Sequence, residues 1–164
     1  MSSHPLTTVY LALHGETAWT LSKQHTGRTD LPLTENGEKN AMKLKDRLSK
    51  ISFAKVYSSP LQRAKRTCDL AGYESVAVVD PDLYEWDYGA YEGLKTVEIR
   101  EKQKDWDLFK HGVPNGESAA DVGRRADSMI AKIKQTPGNV LCFSSAHFLR
   151  VFVARWLGLP PTGG

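Results

Sequence analysis

Cysteine is scarce in this chain: among 164 residues there are only two, Cys68 and Cys142. One falls in a stretch of helical character and the other in an apolar run, with no Cys-x-x-Cys pair or Cys/His spacing around either. A disulfide framework and a zinc site are therefore not indicated, and reduced, buried thiols are expected. Long apolar runs are missing too. No segment approaches the ~20 residues needed to cross a bilayer, and Met-Ser-Ser-His-Pro at the start lacks the charged and apolar regions of a secretory leader. A cytoplasmic location without a membrane partner is expected. Lysine and arginine total 22 against 19 acidic residues, a net charge of +3. The basic residues are interspersed with acids and form no tract or helix face, so nucleic acid is not the leading partner, whereas an anionic small molecule is compatible. The sequence also has no Gly-rich phosphate loop, no carboxylate and histidine spacing typical of a metal site, no internal repeat and no low-complexity segment. No metal or nucleotide cofactor is implied.

What is present is an ordinary globular composition, 40% apolar and 25% charged, on a chain long enough for one sizeable core and short for two domains. Residues 1–164 read as one domain. Val9 to Leu13 is an apolar run with β-branched and aromatic members, as expected of a strand buried on both faces, and Gly15 ends it. Thr34 is the predicted cap of a helix running to about Lys50, with Ala41, Leu44 and Leu48 turned inward. Phe53 to Ser58 reads as a second strand, Leu61 to Ala71 as a helix opened by Pro60, and Val76 to Val79 as a third strand. The segment from Asp82 to Leu94, rich in glycine and aromatics, reads as an ordered loop. A helix is predicted from Thr96 to about His111, a break over Gly112 to Gly116, and a further helix from Ser118 whose apolar face holds Val122, Ala126, Met129, Ile130 and Ile133. Val140 to Phe143 is the fourth strand. Phe148 to Leu157 is a helix apolar nearly all round, stopped by Gly158, Pro160 and Pro161. Strand alternating with helix predicts a parallel sheet covered on both faces, with right-handed crossovers.

Open parallel sheets put chemistry at strand ends. The first strand ends at His14, beside Gly15, which allows backbone N–H groups to approach a ligand closely. Arg28, in the polar turn Thr-Gly-Arg-Thr-Asp, offers a fork of donors matched to phosphate. Arg63 follows the second strand much as His14 follows the first, and Glu85 stands between Tyr84 and Trp86 in the aromatic loop.

His-Gly-Glu-Thr at 14–17, Thr-Gly-Arg-Thr-Asp-Leu-Pro-Leu-Thr at 26–34, Ser-Ser-Pro-Leu-Gln-Arg-Ala at 58–64 and the Leu-x-Glu-x-x-x-Gly-x-x-Glu-Gly pattern at 83–93 resemble the histidine phosphatase superfamily, the phosphoglycerate mutase-like phosphatases. The resemblance spans residues 8 to 160. It implies an α/β fold, a three-layer α/β/α sandwich with a mostly parallel central sheet. It also implies a phosphomonoesterase working through a phosphohistidine on His14, with Arg28 and Arg63 holding the phosphoryl group and Glu85 protonating the leaving oxygen. Gly15, Thr20, Thr26 and Gly27 would line the phosphate pocket, and His25 its mouth. Glu92 competes with Glu85 for the acid role, although its position beside Gly93 suggests a carboxylate that stabilises a turn. Mutases of the family are generally longer, with insertions that enclose the substrate, which favours a phosphatase of the histidine acid phosphatase type. Similar phosphatases usually continue into a further strand and a short tail, so either the family fold is truncated here or a disordered tail lies beyond residue 164, and a missing edge strand would leave unpaired backbone groups exposed.

Four positions depart from the family's pattern. Leu13 replaces the arginine that precedes the histidine, Thr20 an asparagine found in many members, and Ser145 and Ala146 the His-Gly pair that stands five residues before an arginine. His147 lies two residues on. If the fourth strand stays extended that far, His147 shares the face of Ser145 and substitutes for the missing histidine; if a helix begins earlier, His147 is expected to rotate away and leave Ser145 facing the pocket alone. The departures support an alternative: a catalytically impaired relative that binds a phosphorylated ligand or a protein partner. The sequence names no substrate and no oligomeric state.

Overall fold

The computed structural model describes residues 6–164; His4 lies outside the described residues. Strands β1 (Thr8–Leu13), β2 (Lys55–Ser58), β3 (Ala77–Val79) and β4 (Asn139–Ser144) form one sheet in the order β1-β4-β2-β3, and every pairing is parallel. Parallel neighbours require crossovers, which helices supply. Helices α1 (Ala18–Ser22) and α2 (Glu35–Leu48) join β1 to β2, and α3 (Gln62–Leu70) joins β2 to β3. Between β3 and β4 run α4 (Thr96–Lys102), α5 (Leu108–His111) and α6 (Ala119–Lys134), and α7 (Ala146–Trp156) follows β4.

The two-residue period of the strands decides the layers. In β4, Val140 and Cys142 pack on one face against Met129 and Ile133 of α6 and Phe148 and Phe152 of α7. Leu141 and Phe143 face the other way, toward Cys68 of α3 and the partly buried Leu44 and Leu48 of α2. A sheet apolar on both faces must be covered twice, and three layers result. Among the described residues no helix is long and apolar enough to cross a membrane.

Two expectations need correction, and one helix was not expected. β1 is covered on both faces, with Val9 and Leu11 in one core and Tyr10 and Ala12 in the other, but it is an edge strand, and Leu13 at its end is 51% exposed. The stretch from Thr96 to His111 is two helices, because the chain bends so that Trp106, 3% exposed, enters the core and its indole donates to the Gly112 carbonyl at 3.0 Å. Burying an indole contributes on the order of several kcal/mol, more than the ~1 kcal/mol of each helical hydrogen bond forgone. The Asp107 carboxylate then caps α5, accepting from the N–H groups of Phe109 and Lys110 at 3.0 and 3.1 Å. Helix α1 has no counterpart in the sequence reading; it is closed by a reciprocal box in which the Thr20 hydroxyl accepts from the Thr17 N–H at 2.8 Å and the Thr17 hydroxyl from the Thr20 N–H at 3.3 Å.

The strands all point the same way, so their carboxyl ends gather at one edge. The ladder runs one residue further there, with His14 N–H donating to the Ser144 carbonyl at 3.1 Å and Ser59 N–H to Phe143 at 2.9 Å. After β1 the chain turns to the face covered by α2, and after its neighbour β4 to the face covered by α7. A crevice opens where such connections part.

Candidate active site

His14 stands in that crevice. Its Nδ1 lies 2.7 Å from the Gly15 carbonyl oxygen, which can only accept, so Nδ1 carries the proton of the neutral ring and Nε2 keeps its lone pair. Burial, reinforced by the charge of Arg63, pushes the His14 pKa below the ordinary 6.5 against the opposing Gly15 carbonyl and Glu85 carboxylate. Gly15 N–H donates to the Thr67 hydroxyl of α3 at 2.9 Å. A side chain at Gly15 would put Cβ 2.8 Å from the Gly37 carbonyl in the first turn of α2, so glycine lets that helix press against the histidine's backbone.

A cavity of about 130 Å³ collects His14, His25, His147, Glu85 and Tyr88, with Thr20, Gln24, Thr26 and Ala146 completing its wall. His147 gets there by a route the sequence reading did not foresee. β4 stops at Ser144, Ser145 is the extended residue before the helix, and α7 begins at Ala146. The prolonged strand does not form, yet His147 still lines the cavity. The reason is that side chains in a helix tilt toward its N-terminus, and the N-terminus of α7 is aimed at the cavity. Ser145, expected to face the pocket in that case, is fully buried, and its hydroxyl has no partner and makes no cap.

Glu85 supplies the missing cap. Its Oε1 accepts from the N–H groups of Phe148 at 2.7 Å and Trp86 at 2.8 Å, and its Oε2 from His147 N–H at 3.0 Å. These include donors left orphaned at a helix start, and the carboxylate that takes them is 3% exposed. Tyr88 bonds through its hydroxyl to His147 Nδ1. Burial, helped by the charges of Glu85 and Glu92, raises the Tyr88 phenol well above its ordinary value, while burial lowers that of His147. Both are neutral near pH 7. With the phenol assigned as donor to Nδ1, the His147 ring proton sits on Nε2.

His25 bonds through Nε2 to the Thr96 hydroxyl at 3.1 Å and packs against Tyr88 and Trp106, ring centroids 4.9 and 5.6 Å away. Burial, then the nearby His147, pushes its pKa down to about 4. In the unfolded chain the ring returns to about 6.5, so between these values the unfolded state binds more protons, and stability is lost as pH falls through that window. The loss is expected to be on the order of 1–2 kcal/mol once the ring's partial exposure is discounted. Denaturant midpoints measured from pH 7 to 4 should fall less steeply in His25→Asn than in the unaltered protein; identical slopes would remove His25 from this account.

The two arginines expected to hold phosphate are engaged elsewhere. Arg63 is fully buried and donates through Nη1 to the Thr29 carbonyl at 2.9 Å and through Nη2 to those of Thr26 and Gly27 at 3.1 and 2.8 Å, leaving Nε without a partner. It fastens the 26–29 turn, and its charge acts on His14 and Glu85. Arg28 lies 4.0 Å over the Tyr84 ring, with Nη2 3.8 Å from the Glu117 carboxylate, and does not line the cavity. Gly27 does not line it either: it is wedged where a Cβ would stand 2.4 Å from the Trp86 carbonyl. Glu92 accepts from the N–H groups of Gly27 and Thr29 at 2.8 and 3.2 Å, which is the turn-stabilising part, while Glu85 is the carboxylate in the cavity.

Sequence reasoning passed over Arg125 and Glu117. Arg125 makes a bidentate pair with the Glu117 carboxylate at 2.7 and 2.8 Å and donates through Nη1 to the Asp82 and Tyr84 carbonyls, both at 2.8 Å. The pair ties α6 to the loop that carries Glu85. No local signal marks it, because Arg125 sits in an Arg-Arg pair on a helix where a solvated arginine would be ordinary.

The sequence profile of the histidine phosphatase superfamily (branch 1) matches residues 9–164. An acid phosphatase of Mycobacterium tuberculosis is 42% identical over 158 residues, which cover 94% of this chain and 77% of that protein. A sedoheptulose 1,7-bisphosphatase of Saccharomyces cerevisiae is 36% identical over 178 residues, covering 89% of this chain and 66% of the yeast protein. The solved structure of a Mycobacterium tuberculosis open-reading-frame product superposes with a TM-score of 0.89 at 40% identity, covering 98% of this chain and 83% of that one.

Proposed function

We propose that this chain, which belongs to the histidine phosphatase superfamily (branch 1), is a phosphomonoesterase that carries a phosphoryl group on Nε2 of His14 and passes it to water. The observation that carries this reading is the His14 ring. It is neutral, its proton is fixed on Nδ1 by the Gly15 carbonyl at 2.7 Å, and it shares a cavity with the Glu85 carboxyl group. The phosphatase names of the relatives support hydrolysis.

In the first half-reaction the Nε2 lone pair attacks phosphorus, the bond from phosphorus to the ester oxygen breaks, and Glu85 gives its proton to that oxygen, so the alcohol leaves neutral. In the second, water attacks the phosphohistidine, the P–N bond breaks, and the water's proton passes to Glu85. His147 donates Nε2–H to a phosphoryl oxygen, and the Arg63 guanidinium behind His14 offsets the charge that develops. The cavity continues past Thr20 and Ala146 into an outer opening, so water reaches the phosphoenzyme, which fits a hydrolase better than a mutase. The profile match over residues 9–164 supports reading the chain as one such domain. Cys68 and Cys142 are free and buried, which is compatible with the reducing cytoplasm proposed as the location.

A second reading, an impaired relative that binds a phosphorylated ligand or a partner, is favoured by Leu13, an exposed aliphatic group where the family has arginine, and by the outward turn of Arg28. The purified protein is expected to release inorganic phosphate from phenyl phosphate. Leu13→Arg should raise kcat/KM roughly tenfold or more, because one charge-assisted hydrogen bond contributes ~1.5–3 kcal/mol. No release by either protein, with phosphate still bound, would establish the second reading.

A further inference from the structure

The outer opening beside His14 has its own chemistry. It measures about 390 Å³, shares His14, Thr20 and Ala146 with the inner cavity, and adds Leu13, Gly15, Glu16 and Leu21. Leu13 and Leu21 are 51% and 63% exposed, two large aliphatic side chains held in water at the mouth of the catalytic cavity. Among the described residues, no lysine or arginine lines either opening. The one charged side chain in the outer wall is Glu16, whose carboxylate is held by the Thr34 hydroxyl at 2.6 Å and the Asn36 amide at 3.2 Å.

We infer that the ledge of Leu13 and Leu21 is the leaving-group subsite, and that it takes phosphomonoesters of uncharged, apolar alcohols, aryl or alkyl, while rejecting esters whose alcohol carries a carboxylate or a second phosphate. This rests on the phosphatase reading above. The phosphoryl group sits against His14 with the ester oxygen within reach of Glu85, and the alcohol beyond that oxygen must run outward, because the inner cavity of about 130 Å³ is filled by one phosphoryl-sized group and its water. The alcohol then lies over the two leucines. An apolar alcohol covers aliphatic surface that water otherwise wets. An anionic one would be brought beside Glu16 with no cation to receive it, which is selection by repulsion as well as by attraction.

Straight-chain alkyl phosphonates test the subsite without turnover, since their P–C bond is not hydrolysed. Their affinity, read by calorimetry, should rise about threefold per added methylene over the first few carbons, and phosphonoacetate should bind more weakly than ethyl phosphonate. Leu21→Lys, a change on an exposed face of α1, should flatten the chain-length dependence and reverse the preference against phosphonoacetate. Leu21→Ser should flatten the dependence without that reversal. Affinity independent of chain length, or tighter binding of phosphonoacetate by the unaltered protein, would overturn the subsite. Loss of the phosphatase reading has a separate signature: a normal phosphonate series with no phosphate released from hexyl or phenyl phosphate. In turnover, hexyl phosphate should exceed 3-phosphoglycerate and a sugar bisphosphate by at least tenfold in kcat/KM, and parity among them would also overturn the subsite.

Discussion

His14→Ala is expected to reduce phosphate release by several orders of magnitude and to abolish acid-labile phosphorylation of the protein, while thermal unfolding stays within a few degrees of the parent. In the nucleophilic role proposed for it, His14 has no neighbour that can stand in, since an intermediate bonded to Nε2 cannot form without the ring. The stability cost is small, because the ring makes one hydrogen bond, to its own neighbour's carbonyl, worth ~0.5–1.5 kcal/mol. The unaltered enzyme adds a pH signature. Burial depresses the His14 pKa below 6.5, so the ring stays neutral through neutrality, and activity should be lost only as pH falls through that depressed value. A rate profile flat into acid, or a His14→Ala protein with full turnover, would end the assignment.

Glu85→Gln is expected to act on the chemistry and the fold together. In the acid role proposed for it, Glu85 matters most when the leaving oxygen is strongly basic. Alkyl phosphates should therefore slow by about 10²–10⁴-fold, and p-nitrophenyl phosphate, whose leaving group needs little protonation, far less. The same carboxylate caps α7. A glutamine oxygen can replace Oε1 toward Trp86 and Phe148, but its NH₂ then meets the His147 N–H where Oε2 accepted a hydrogen bond. One buried donor facing another costs about 1–3 kcal/mol. For a chain of this size that is a fall of roughly 3–10 °C in Tm. Equal slowing of alkyl and aryl substrates would remove the acid role, and an unchanged Tm would remove the cap.

The sequence by itself determined the parts of this protein that depend on contiguous residues. The unbroken apolar run of Val140 to Phe143, the inward stripe of Ala41, Leu44 and Leu48, the cap at Thr34, the helix start at Ser118 and the glycine after His14 each sum several local preferences over one stretch of chain. The parallel sheet, its two covering layers and the strand-end position of His14 follow from them. Where a polar side chain goes was decided by tertiary structure alone, because its partner comes from far along the chain. Arg63 reads as a phosphate ligand until the 26–29 turn offers it three carbonyls, and Arg28 until Tyr84 and Glu117 take it. Ser145 reads as a pocket residue, but its hydroxyl is buried without a partner, and Glu85, sixty residues earlier, meets the N–H groups at the start of α7. His147 was to need a prolonged strand to reach His14, and instead the early helix brings it there, since the tilt of helical side chains depends on where the helix starts and on where its N-terminus points. Burial of Trp106 overrode the local helix preference between Thr96 and His111 in the same way: a long-range gain exceeded a local one.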